Sequence, residues 1–440
     1  MNVRVTPHRF TGTIKIPASK SHSIRQLLIA SLADGESEIK YPLDSLDTQS
    51  CINACKVFGA EIEEQRKGND IISWKIKGNN GFNLTAHKMP DPERLKIDVG
   101  NSGTTLFLAL AIAGLQSQQI EFTGDEQIQK RSAVYLLHAL TGFGIQCVSN
   151  NGCAPITIKG PWKSGKVNLL CPTSQYLSAL LIAAPLAPVG TVTEIDVPLL
   201  NEKPYIEMTL SYLKAHGIPY ETASDFSHFV IPGGSSWKAF NRTVPADFSS
   251  AAFPAAAAAI TGGSVTLLDL DPEDTQGDKY FLEILKIMGC DVCWKQGNSE
   301  TEWQVEISRK GSLCGGSFDL NKTPDLLPAA AVTAAFADGD TTLYNVAHAR
   351  IKETDRIAVM AKELAKLGVC CTELPDGLII HGKGAISPPE NTIIDGHNDH
   401  RIVMAFAIAA LGANLPIEIT TAECAAVTYP GFLELIENNC

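Results

Sequence analysis

Two rhythms alternate along this chain. A stretch apolar on every side of a helix passes through a turn into a short strand, and a polar connection follows. Apolar residues then recur every three or four positions until a glycine stops them before another strand. The succession returns six times, over residues 25–64, 106–148, 177–221, 251–294, 329–373 and 402–439, the last copy ending after its second helix. Gly59, Gly144, Gly217, Gly289 and Gly368 close the second helix in five copies, where a left-handed residue is wanted. The repeat length of roughly 70 to 85 residues exceeds solenoid periods, so modular domains are expected, not an open array.

Six βαβα-type units over 440 residues divide into two domains of three, because one hydrophobic core rarely serves a chain this long. The sixth copy lacks its final strands, whereas the opening VRVTPHRFTGTIKIP is strand-like and belongs to no copy. Pairing the two predicts a discontinuous domain of residues 1–18 and 242–440 around a continuous one of 19–241, with crossovers near 18 and 242. The fold class expected is α/β (α+β).

Each all-apolar helix is a core helix, and each follows a short polar cluster: SKSHSIR (19–25), GNSGTT (100–105), PTSQ (172–175), ADFSS (246–250), NKTPD (321–325) and NDHR (398–401). Capping explains the small polar residues. It does not explain Lys20, Arg25, Gln175, His400 or Arg401. Equivalent units present equivalent helix N-termini, and these are expected to face an inter-domain cleft, where unpaired N–H donors suit anions. With Lys20, Arg25, Arg131, Lys352, Arg356 and Arg401 added, the cleft fits a multiply anionic small molecule. In ARIKETDR, Lys352 and Arg356 are four apart and Glu353 and Arg356 three apart, the spacing of a shared helical face.

Composition narrows the classes. Hydrophobic residues at 45% and charged residues at 19% describe a soluble globular protein, and a net charge of −12 argues against a general binder of nucleic acid or anionic membrane. The N-terminus has no signal-peptide or transit-peptide character, and no apolar run reaches the roughly 18 residues of a membrane span. The twelve cysteines are dispersed, without ligand spacing, so reduced thiols in the cytoplasm are expected and no metal.

In this order, SKSHSIR, GNSGTT, TSQYLSALL, KPYIEMT, TPD, RIKETDR and NDHR resemble the enolpyruvyl transferases, over essentially the whole chain and nearest to the branch that acts on shikimate 3-phosphate. The resemblance implies two domains of three βαβαββ units each. It also implies transfer of the carboxyvinyl group of phosphoenolpyruvate to the 5-hydroxyl of shikimate 3-phosphate. Phosphate is released through a tetrahedral addition–elimination intermediate, by a monomer without metal or organic cofactor. It places shikimate 3-phosphate on Lys20, Ser21, Arg25, Thr173, Ser174, Gln175, Tyr205, Asp325, His348 and Lys352. Arg25 would take the carboxylate, and Thr173 and Ser174 the phosphate. Phosphoenolpyruvate falls on Lys20, Asn101, Gly103, Arg131, Gln175, Arg356 and Arg401, the last two suiting its carboxylate and Lys20 with Arg131 its phosphate. Lys20, Asp325, Glu353 and His400 are the implied catalytic residues, with Asp325 and Glu353 the proton carriers.

Four positions depart from the family pattern. Val427 replaces a lysine of the phosphoenolpyruvate phosphate site, Phe107 an arginine, Glu202 a serine near the shikimate phosphate, and His348 stands where some members have asparagine. These leave two alternatives: an enolpyruvyl transferase with another acceptor, or an anion-binding homologue with weakened or no catalysis. The sister transfer to a UDP-amino sugar fits less well, since GDEQIQKR carries no reactive cysteine.

Overall fold

The computed structural model describes residues 1–68, 70–80, 95–297 and 303–438. Its helices are α1 (Lys20–Leu32), α2 (Leu46–Val57), α3 (Gly103–Ala113), α4 (Val134–Gly142), α5 (Gln175–Ala183) and α6 (Lys203–Ala215), followed by α7 (Phe248–Thr261), α8 (Tyr280–Ile287), α9 (Leu327–Ala335), α10 (Arg356–Lys366), α11 (His400–Gly412) and α12 (Phe432–Asn438). Odd numbers are the Ala-rich helices and even numbers the amphipathic ones. Every residue of α3 is buried, and so is every residue of α7 before Thr261. Small side chains on all faces permit this, because other elements must pack around the whole circumference.

The five glycines that follow even-numbered helices α2 to α10 all have positive φ, from 68° at Gly217 to 104° at Gly289. At the first, Gly59 N–H donates to Lys56 O and Ala60 N–H to Cys55 O, so the carbonyls at the end of α2 are satisfied by the turn itself.

Each repeat contributes one sheet, six among the described residues. In the second repeat, Leu95–Asp98 runs parallel to Ile120–Thr123, which pairs antiparallel with Cys153–Lys159. The first and fourth repeats take their parallel strand from elsewhere in the chain: Asn241–Thr243 beside Glu36–Lys40, and Thr11–Lys15 beside Ser264–Leu268. The unassigned N-terminal strand sequence is therefore divided. Val3–Val5 joins the sixth repeat, with Val3 opposite Ile419, while Thr11–Lys15 serves the fourth.

Contacts between Cα atoms divide the chain into Met1–Pro17 with Pro245–Cys440, and Ala18–Val244. The second crossover thus comes after residue 242, because Arg242 and Thr243 pair with Ile39 and Lys40 of the first repeat. Each unit has its own core. Trp74, Trp162 and Trp237 are fully buried in Ala18–Val244, and Phe253, Phe281 and Leu327 in the other. The described cysteines are free thiols, and among the described residues no helix is long and apolar enough to cross a membrane.

Candidate active site

In Ala18–Val244 the expected residues gather at the N-termini of α1, α3 and α5. Ser19 caps α1, and Lys20 follows with its ammonium 3.0 Å from Asp47, both side chains largely buried. Arg25 is 1% exposed. Its Nε donates to Thr209 Oγ1 at 2.9 Å, and its terminal nitrogens reach Ser178 Oγ at 3.2 Å and the carbonyls of Ser21 and Tyr205. Burial pulls the guanidinium pKa down to about 10, with Tyr212, Tyr205 and Glu202 acting the other way.

Gly103 opens α3, and a Cβ there would lie 2.2 Å from Arg131 Nη1, so only glycine lets that guanidinium approach the helix end. Asn101 Nδ2 donates to Asp125 and Gln127. Gln175 Nε2 reaches Thr104 Oγ1 at 3.3 Å, tying the starts of α3 and α5 together. Phe107 stands edge-on to Tyr176 at 5.1 Å, as a core residue.

Four of the six apolar helices are capped as the polar clusters suggest, by Ser19, Ser102, Asp247 and Asp399. The other two are not. Ser174 caps nothing in α5; its Oγ and N–H both donate to the Glu202 carboxylate at 2.9 Å, and Thr173 Oγ1 does so at 3.0 Å. Asp325, before α9, makes no cap hydrogen bond and forms ion pairs instead.

Those pairs organise the second cluster, within the discontinuous unit. Arg356 is fully buried. Its Nη1 is 2.8 Å from Asp325, its Nη2 2.5 Å from Glu353, and its Nε 2.8 Å from Asp399. Arg401 donates to the other Asp325 oxygen at 3.1 Å. Lys352 does not share a helical face with Arg356. Ala347–Ile351 is a 3-10 turn, Lys352 is its cap, and α10 begins only at Arg356, with Asp355 accepting from Ala358 N–H. The break arises because Asp355 caps a fresh helix and Arg350 holds it from the other side at 2.8 Å. His348 and His400 are buried in this unit, His400 as the first residue of α11. Val427, half-buried, ends the turn Ala422–Val427.

Burial alone would raise the pKa of Asp325, but Arg401, Lys352 and Arg356 outweigh it and hold the carboxyl well below the usual range. Asp278, in the 3-10 turn Gly277–Lys279 before α8, is pushed the other way, to about 7, by burial and by the charge on Asp325. Ser249 donates to one of its oxygens. The cluster therefore sets two carboxyl groups apart, one held ionised and one that burial and its neighbour's charge shift toward the protonated form. A raised carboxyl pKa stabilises the fold fully below about pH 3.9, the unfolded value, and that contribution is lost as pH rises through about 7. In thermal melts, the Tm of the wild type is expected to fall relative to Asp278→Asn between pH 5 and 8. Parallel curves would refute this account of Asp278.

Asp47 and Asp278 lie in no quoted motif, and Asp399 lies in NDHR without having been given a role, yet each pairs with or sits among the expected residues. Their signal is positional, since Asp47 and Asp278 occupy the same polar connection in their repeats as Arg131 and Glu353 do in theirs. Glu194, Asp196 and His228 also come together, but Lys166 lies 2.6 and 3.0 Å from the two carboxylates and pairs with both.

Comparison with known proteins extends this picture over the whole chain. Residues 5–436 match the model of the family described as EPSP synthase (3-phosphoshikimate 1-carboxyvinyltransferase). Curated relatives named 3-phosphoshikimate 1-carboxyvinyltransferase include one from Acetivibrio thermocellus, 43% identical over 99% of this chain and 97% of the relative. Another, from Ruminiclostridium cellulolyticum, is 42% identical over 100% and 98%. Among solved structures, an EPSP synthase from Acinetobacter baumannii superposes with a TM-score of 0.79 at 30% identity, covering 100% of this chain and 98% of that one.

Proposed function

The chain belongs to the EPSP synthase family, and on that premise we propose how its residues carry the family's reaction. The carboxyvinyl group of phosphoenolpyruvate moves to the 5-hydroxyl of shikimate 3-phosphate, and phosphate leaves. The observation that supports these roles best is the pair Asp325 and Glu353, each held by one nitrogen of the same buried guanidinium, Arg356, with Arg401 on the far oxygen of Asp325.

In this reading Asp325, kept ionised by its cations, accepts the proton of the 5-hydroxyl. As the hydroxyl oxygen attacks C2 of phosphoenolpyruvate, Glu353 delivers a proton to the methylene carbon, which becomes a methyl group. The tetrahedral intermediate then collapses: a methyl proton returns to the Glu353 carboxylate, the C2–O bond to phosphate breaks as Asp325 passes its proton to the leaving phosphate oxygen, and the enol ether remains. Arg401 takes the phosphoenolpyruvate carboxylate by a forked contact, and Arg356 joins it by exchanging one carboxylate partner. Lys20 and Arg131 neutralise the phosphate, with Asn101, Gly103 and Gln175 beside them. Arg25 takes the shikimate carboxylate, and Thr173 and Ser174 hold its 3-phosphate at the start of α5. Ser21, Tyr205, His348 and Lys352 complete that subsite, and His400 orients the start of α11. The enzyme acts in the cytoplasm on small anions, as a monomer with no nucleic-acid or membrane partner and no cofactor.

The test is release of inorganic phosphate by the purified protein. Release with both substrates and none with either alone is expected; no release at millimolar substrate, with binding intact, would leave an anion-binding homologue.

Val427 bears on phosphoenolpyruvate. A cation missing from a desolvated phosphate contact costs about 2–5 kcal/mol, so Val427→Lys is expected to lower the phosphoenolpyruvate KM at least about tenfold. An unchanged KM would mean that Val427 does not face that phosphate.

A further inference from the structure

We infer that Glu202 is an internal anion that fills the phosphate subsite of the free enzyme, so that shikimate 3-phosphate binds only by displacing it. The inference rests on the reading that Thr173 and Ser174 hold the substrate phosphate.

Three donors converge on one oxygen of Glu202: Ser174 N–H, Ser174 Oγ and Thr173 Oγ1, all at 2.9 to 3.0 Å. These are a backbone N–H and two hydroxyls at the start of α5, a set that suits an oxyanion and already holds one. The carboxylate is not a surface charge resting there, because Glu202 is 1% exposed. Nor is it a cap for its own helix. Glu202 stands at the N-cap position of α6 in the left-handed region, φ 58° and ψ 41°, and makes no side-chain cap bond. A non-glycine residue in that conformation is sparsely populated, and the carboxylate contacts account for its retention here.

A phosphate oxygen and the Glu202 carboxylate oxygen need the same three donors, so both cannot be served at once. Substrate binding must therefore break three charge-assisted hydrogen bonds and move a carboxylate out of reach of the incoming dianion. Glu202 acts as a specificity-determining residue: it sets a threshold that only a stronger, doubly charged acceptor of hydrogen bonds passes. An acceptor without the 3-phosphate leaves Glu202 in place and gains nothing from these donors.

The experiment is calorimetric titration of shikimate 3-phosphate into the wild type, Glu202→Gln and Glu202→Ser, with steady-state kinetics on each. At least a tenfold fall in Kd for shikimate 3-phosphate is expected in both variants, with the phosphoenolpyruvate KM within about twofold at saturating acceptor. A merely structural Glu202 would not raise affinity when removed, so equal or weaker binding in a variant that melts like the wild type overturns the inference. If Glu202→Ser is unstable, the isosteric Glu202→Gln decides. The underlying reading is tested separately by Thr173→Val with Ser174→Ala in the Glu202→Ser background. Loss of affinity there with no gain from Glu202→Ser alone refutes only the inference. No loss there refutes the phosphate subsite itself.

Discussion

Replacing Glu353 by glutamine is expected to lower kcat by about 10²- to 10⁴-fold, the usual worth of a positioned proton carrier, while both substrate KM values change little. The amide keeps the shape and one hydrogen bond to Arg356 but can neither give nor take the proton at the methylene carbon. Glu353 lies 2.5 Å from Arg356 Nη2 with its side chain 13% exposed, so a water molecule has little room to substitute for it. Asp325→Asn should slow the reaction comparably but also soften the fold, because Asp325 balances both Arg356 and Arg401. A Glu353→Gln enzyme with more than a tenth of the wild-type kcat would remove Glu353 from the chemistry.

The largest stability effect is expected at Arg356. Arg356→Met leaves Asp399, which is fully buried, together with Asp325 and Glu353, without the guanidinium that faces all three. Breaking a buried ion pair from one side costs about 3–5 kcal/mol, which urea denaturation measures directly. Arg356→Lys should recover little, since one ammonium cannot repeat a fork that meets three carboxylates from three directions. The pH dependence has a definite sign. Despite burial, Arg356 helps hold the pKa of Asp399 and of Asp325 below normal, a contribution present above the unfolded carboxylate pKa and lost as pH falls through the folded value. The gap between wild type and Arg356→Met should therefore narrow in acid. A gap that stays constant from about pH 5 down to about pH 2, the window in which depressed carboxylates lose their contribution, would mean that the loss is one of packing alone.

How much of this could be read beforehand differs by level. The repeat, the buried helices and their glycine stops were legible because each rests on local periodicity, and Gly59 through Gly368 adopt the positive φ that the pattern asked for. The loan of Thr11–Lys15 to the fourth repeat and of Asn241–Thr243 to the first was not, because a short strand carries no mark of which edge it will join. Around the site, spacing misled at Lys352: a separation of four suggested one helix, whereas Asp355 starts a new one at Arg356. Capping residues could not be told from site residues by type. Ser174 and Ser102 are alike in sequence, and only Glu202 in space makes Ser174 different. The charged residue in each repeat's polar connection was read at Arg131, Glu202 and Glu353 but not at Asp47 or Asp278, where no motif stands. Asp47, Arg131, Glu202, Asp278 and Glu353 occupy that connection in five successive repeats.

Transfer by this route requires that a proton pass to and from the methylene carbon. Running the reaction in D2O tests it most directly. Addition would make a CH2D group from solvent deuterium, elimination would then remove one of its three hydrogens, and deuterium should appear at the vinyl carbon of the product by proton NMR. The same label should be absent, with the product, in Glu353→Gln. Full product formation with an undeuterated vinyl group would contradict the claim.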